Sequence, residues 1–302
     1  MEELFPGLFP EFSPILRPFD VETVPLFGTS RERSPLLSPP EVPDSWGVSS
    51  DPEPSTPRDY AVQEEDLVNP LLRFRQEDID AIPVGARLTH FLPQWVTLFP
   101  HDTWLLSVIS EGFFLPFPSL PPLSRSPIPI QLPKNPAKEK ALLSEIEALR
   151  NKKAIVEVSR PSSLGFYSHI FLVPKPGGMW RPIIDLSRLN SFLIPPRFKM
   201  ETARSIRMSM QPGDWAVSVD LQDAYLHVPI HPASQKYLRF AVYNQVYMFQ
   251  ALPFGLSLSP WIFTRLMDAT IAFARLKTSS LIAAYLDDIL IKHGDKLQLL
   301  DD

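Results

Sequence analysis

Asp220, Asp287 and Asp288 stand where the surrounding residues read as strand. In AAYLDDILI (283–291) two adjacent carboxylates interrupt an apolar run, and in WAVSVDL (215–221) one closes an alternating pattern. Ionised carboxylates are costly to bury unless they are paired or bind a metal. One reading is a tight turn at a hairpin tip, where Asp tolerates turn geometry and bonds its own backbone. The other is a divided metal site whose halves meet on folding. If the two strands are neighbours in one antiparallel sheet, Asp220 and Asp287 converge, and their charges repel unless a cation sits between them. Oxygen ligands with no cysteine or ligating histidine nearby suit Mg²⁺ or Mn²⁺. Two such ions can activate a hydroxyl and stabilise the leaving pyrophosphate of an in-line displacement.

The elements around these residues must therefore bring positions 220 and 287 together. WAVSVDL alternates like a strand, and LIAAYL (281–286) with ILI (289–291) forms a hairpin with both aspartates at its tip. SHIFLVPK (168–175) and MWRPIIDL (179–186) flank Pro176-Gly177-Gly178, a strong turn signal. Pro174 and Pro182 fit poorly in central strands, so this ribbon belongs at an edge and projects. YLRFAVYNQVYMFQAL (237–252) reads as two strands around a turn at Asn244. SPWIFTRLMDATIAFARL (259–276) has Ser259 as expected N-cap, Pro260 in its first turn and an apolar face of Ile262, Phe263, Leu266, Met267 and Ile271. Leu142, Ile146 and Leu149 have helical spacing from Ala137 onward, and ETARSIRMSM (201–210) is a further helix closed by a Gln-Pro-Gly-Asp turn.

Composition narrows the class. The 302 residues contain no cysteine, which excludes disulfides, thiolate zinc sites and Cys nucleophiles. No apolar run approaches the roughly 20 residues of a membrane helix, and the acidic, proline-broken MEELFPGLFPEF is unlike a secretory signal. An intracellular chain, cytoplasmic or nuclear, with no membrane partner is expected. The 35 prolines outnumber 11 glycines. Residues 1–90 carry 7 basic against 17 acidic residues, whereas 91–302 carry 22 against 17 and 151–205 carry 9 against 3. A basic body suits a polyanionic partner. The expected organisation is a disordered, acidic, proline-rich leader (1–85), a partly ordered aromatic segment and proline-rich connector (86–136), and an ordered region (137–302). PSTPRDY and SRSPIPI fit phosphorylation or polyproline-ligand sites, patterns that arise easily by chance in such a tract. The sequence does not fix an oligomeric state.

SVDLQDAY (218–225), LPFGLSLSP (252–260) and YLDD (285–288) occur in an order and spacing that resembles the palm of a reverse transcriptase. VPKPGGMWRPIIDLSRLN (173–190) looks like the fingers ribbon that precedes it, and RLTHFLPQW (87–95) is similar to the leader of the DIRS group among LTR-type and tyrosine-recombinase retroelements. The resemblance implies an α+β fold, an antiparallel palm sheet packed on helices with a fingers subdomain. It implies template-directed DNA synthesis from dNTPs on a primed RNA or DNA template, with two Mg²⁺ or Mn²⁺ ions.

Position by position, the resemblance assigns the ions to Asp220, Asp287 and the Leu221 carbonyl, with Asp288 in support. It makes Tyr225 the aromatic gate against a 2′-hydroxyl. Backbone N–H groups of Asp223 and Ala224 would meet the triphosphate, and Lys175 and Arg181 would clamp it from opposite arms of the ribbon. Phe254 and Gly255 would line the pocket for the incoming base, with Phe where retroviral enzymes have Gln. Tyr285 would sit near the primer terminus. Taken singly, each has a plainer reading: Asp287 a turn residue, Tyr225 a core aromatic, Lys175 a solvated turn residue, Arg181 a cation–π partner of Trp180 and Asp223 a helix N-cap. Only their conjunction is specific. The resemblance also implies a primer grip and thumb after YLDD, so a chain ending at Asp302 is expected to be truncated and to hold duplex poorly. A rival reading is an inactive remnant that binds nucleic acid or protein.

Overall fold

The computed structural model describes residues 17–18, 81–126, 135–174, 180–243 and 245–302, without the side chains of Arg17, Pro18, Arg181, Pro182 and Ala203. All of these belong to one unit formed by Met1–Phe19 and Leu72–Asp302. The rest of the expected leader, the Pro176-Gly177-Gly178 turn, Lys175 and Asn244 lie outside the described residues.

In chain order the elements are β1 (Arg17–Pro18), α1 (Leu92–Leu98), α2 (Thr103–Glu111), α3 (Pro136–Asn151), β2 (Ile155–Glu157), β3 (His169–Pro174), β4 (Trp180–Asp185), α4 (Ser187–Asn190), α5 (Ala203–Ser209), β5 (Trp215–Asp220), α6 (Pro232–Gln235), β6 (Arg239–Val242), β7 (Gln245–Phe249), α7 (Ser259–Arg275), β8 (Leu281–Tyr285), β9 (Asp288–His293) and α8 (Lys296–Asp301). Three sheets result, ordered β1-β5-β9-β8, β2-β7-β6 and β3-β4. Every pairing between these strands is antiparallel.

The first sheet carries the aspartates. Strand β5 buries Ala216 and Val219 and exposes Ser218 and Asp220, so strict alternation holds only over its last three residues. Its register against β9 sets Val219 opposite Ile289 and Asp220 opposite Asp288. The apolar face predicted for α7 is buried, Ile262, Phe263, Leu266, Met267 and Ile271 each being at most 5% exposed. Each such side chain contributes roughly 1.5–3 kcal/mol by leaving water. Ser259 does not cap this helix. Its hydroxyl donates to the Pro253 carbonyl at 2.8 Å, fully buried, because the preceding loop packs directly against the first turn.

Helices α1 and α2 pack on the same core. Phe99 meets Phe273 of α7 edge-on at 6.0 Å, and the Arg265 guanidinium lies 3.9 Å from the Trp104 ring centroid. Asp102 caps α2 by accepting from the Leu105 N–H at 3.0 Å. Gly112 ends it at φ 87°, where a Cβ would lie 2.5 Å from the His231 nitrogen. Helix α3 begins one residue before the expected Ala137, with the Asn135 side chain accepting from the Ala137 N–H and Pro136 in the first turn. Leu142 and Ile146 are buried, and Leu149 is half-buried. Strands β3 and β4 form a two-stranded ribbon, as the prolines required.

Candidate active site

Strands β8 and β9 close on a two-residue turn, with Tyr285 paired to Asp288 and Leu286-Asp287 between them. Asp287 therefore occupies the tip and Asp288 opens β9, a correction to the expectation that both sit at the tip. Leu286 takes φ 56°, the positive value that tight hairpin turns demand at their first central residue. A non-glycine residue there costs on the order of 1–3 kcal/mol, strain of the kind that gathers at functional positions.

The Leu221 N–H donates to the Asp287 carbonyl at 2.9 Å, tying the residue after β5 to the hairpin tip. Asp220, Leu221 and Asp287 thus line one cleft of about 490 Å³, together with Asp223, Phe254 and Trp180. Asp288 is exposed and does not line it. Burial, then the charges of Asp287 and Asp220, raise the pKa of Asp288 above the ordinary carboxylate value. Among the described residues no salt bridge reaches any of these three carboxylates.

Tyr225 is buried beside Phe254 of the cleft lining, its ring 4.9 Å from Phe254 and 5.4 Å from Phe263. Burial, followed by the nearby charges of Asp287 and Tyr285, pushes its hydroxyl up to about 12, so it stays protonated. Phe254 and Tyr285 are exposed. Gly255 has φ 90°, and a Cβ on it would lie 3.1 Å from the Ile184 carbonyl of β4. Asp223 takes a left-handed φ of 54° just before a 3-10 turn (Ala224–His227), and its side chain does not cap that turn. Arg181 pairs with Val173 in the ribbon.

Four further residues hold the site, and local sequence patterns do not single them out. Lys152, at the end of α3, places its Nζ 2.9 and 2.7 Å from the two Asp223 carboxylate oxygens. Asn190 donates to the Gly255 carbonyl and accepts from the Ser257 N–H, both at 2.9 Å, so the end of α4 fixes the Phe254 loop. His227 Nε2 donates to the Gln222 carbonyl at 3.1 Å, and burial pushes its pKa down to about 4. Glu201 accepts from the Ala284 N–H of β8 at 3.1 Å and pairs with Arg275 at 2.8 Å. Arg275 in turn donates to the Ile282 carbonyl.

Among the described residues no three His, Asp or Glu side chains are grouped to cage a metal ion. Any ion in the cleft would rest on two carboxylates, main-chain oxygen, water and substrate oxygens. That is the donor set Mg²⁺ prefers, since it keeps several waters and takes one or two carboxylates.

Residues 173–301 match the family model described as reverse transcriptase (RNA-dependent DNA polymerase). The Gag-Pol polyprotein of walleye dermal sarcoma virus is 27% identical over 222 residues, 70% of this chain and 12% of that polyprotein. A retrovirus-related Pol polyprotein from transposon 412 of Drosophila melanogaster is 27% identical over 52% of this chain and 13% of its own length. Prototype foamy virus protease-reverse transcriptase superposes with a TM-score of 0.49 at 21% identity, over 61% of this chain and 23% of that one. The chain therefore spans a small part of the relatives it matches.

Proposed function

We propose that this chain, whose residues 173–301 match the reverse transcriptase family model and which is similar to retroviral and retrotransposon Pol proteins, supplies the palm and fingers of an RNA- and DNA-directed DNA polymerase. In this reading β5, β8 and β9 are the palm, the β3-β4 ribbon the fingers, and residues 1–85 and 86–136 a leader and connector. The RLTHFLPQW segment is the ground for placing it near the DIRS group.

Asp220 and Asp287, with the Leu221 carbonyl, would hold two Mg²⁺ or Mn²⁺ ions, and Asp288 would add negative charge beside them. The ions when bound supply the charge that activates a primer 3′-hydroxyl and stabilises the departing pyrophosphate. The chain's own residues bind and orient. Lys175 and Arg181 grip the triphosphate of the dNTP, as do the amides of Asp223 and Ala224. Tyr225 fills the space a 2′-hydroxyl would need, Phe254 and Gly255 border the base, and Tyr285 touches the primer end. The partner is a primed RNA or DNA template.

The observation that carries the reading is that Asp220 and Asp287, 67 positions apart, line one cleft with Phe254, against whose ring Tyr225 packs. Primer extension on poly(rA)/oligo(dT) with Mg²⁺ or Mn²⁺ tests it. Asp287→Asn should lower incorporation by roughly a hundredfold or more, the scale of losing one transition-state electrostatic contact. Equal incorporation by the two proteins would reject the reading.

A further inference from the structure

We infer that Lys152 is a positioning residue for the phosphates of the nucleotide in this cleft, an inference that rests on the polymerase reading above. The described residues lining the cleft include four carboxylates, Glu145, Asp220, Asp223 and Asp287, and one cation, Lys152. A polyanionic substrate entering such a site needs the acids to be held in place and partly neutralised.

Lys152 does both at one point. Its ammonium straddles both oxygens of Asp223, a residue 71 positions away, held in a left-handed conformation three places after Asp220. The lysine backbone is itself anchored. Its N–H donates to the Ala148 carbonyl and its carbonyl accepts from the Gly85 N–H at 2.6 Å. No side chain fits at Gly85, where a Cβ would lie 2.2 Å from the Lys153 carbonyl oxygen. A fixed helix end thus projects a flexible charged stem onto the turn that follows Asp220. The two side chains are 37% and 19% exposed. Partly solvated pairs of this kind stabilise a fold little, so their removal separates positioning from folding.

The test measures KM for dTTP and kcat in primer extension with the full chain, alongside Tm. Lys152→Met should raise KM roughly tenfold, the size of one charge-assisted contact, with kcat and Tm nearly unchanged. Lys152→Arg should recover most of the loss. Asp223→Asn should raise KM in the same direction, and the double variant should be no worse than the poorer single. An unchanged KM in Lys152→Met overturns the inference while leaving the polymerase reading intact. So does a loss that tracks a fall in Tm and that arginine does not restore. Failure of the unaltered chain to incorporate dTTP with either metal overturns the polymerase reading, and the inference with it.

Discussion

The two ends of the β5–β9 ladder treat acidic residues in opposite ways. At one end Asp214, just before β5, accepts from Lys292 of β9 at 2.6 Å, with both side chains 9% exposed. Burial opposes ionisation there, but the hydrogen bonds from Lys292 and the Gln211 N–H, with the lysine charge, hold the Asp214 carboxyl below its ordinary value. At the other end, one strand length away, Asp220 faces Asp288 across the ladder with Asp287 beside them and no cation among the described residues bound to any of the three. There the Asp288 carboxyl is shifted upward instead. The same two strands therefore carry a satisfied acid where the fold is held and unsatisfied acids where chemistry is proposed.

The contrast breaks most visibly at the buried pair. Lys292→Met strands the Asp214 charge and should cost about 3–5 kcal/mol, read as a large fall in the urea midpoint. A full-length chain that unfolds at the same midpoint would show that the pair holds nothing. The loss should also depend on pH. A lowered folded-state pKa contributes stability that is complete above the ordinary carboxylate value and drains as pH falls through the lowered one. Because the stranded carboxyl of the variant is shifted upward instead, the difference between the two proteins should shrink as the medium is acidified from above the ordinary carboxylate value, about pH 4, to below it.

At the other end Tyr225→Ala removes the ring packed at a tilt against Phe254 and should improve ribonucleotide use relative to dNTPs by roughly tenfold to a hundredfold. Selectivity unchanged in a competition assay would deny the gate. Asp288→Asn should have the smallest effect. The raised pKa of Asp288 means that its ionisation weakens the fold as pH rises through that value. The variant should be slightly more stable at neutral pH, by tenths of a degree to a few degrees in Tm. A lower Tm would contradict the picture of uncompensated charge.

Much of the scaffold was legible because it is periodic. Alternation in WAVSVDL gave β5, the apolar run about YLDD gave β8 and β9, and the Leu142, Ile146 and Leu149 spacing gave α3. The convergence of positions 220 and 287 followed from treating β5 and the hairpin as sheet neighbours, which they are through β9. What escaped was non-local or steric. Lys152 and Asp223 are 71 residues apart, Asn190 and Ser257 are 67 apart, and neither pair leaves a trace in a local window. Ser259 had the composition of a cap, but burial redirected its hydroxyl to Pro253. Asp288 moved from tip to strand because Leu286 accepts a positive φ and shortens the turn to two residues.

The clamp of Glu201 and Arg275 on β8 reaches beyond geometry. Among the described residues β8 is the last strand of its sheet, and an open border of that kind invites a neighbouring molecule to zip alongside. Here the Ala284 amide and the Ile282 carbonyl already hold a carboxylate and a guanidinium. An incoming strand would have to evict an ion pair before forming its first bonds. The border that carries the aspartate hairpin is thereby guarded against fibrillar stacking, and crowding of many copies should not seal the cleft from that side.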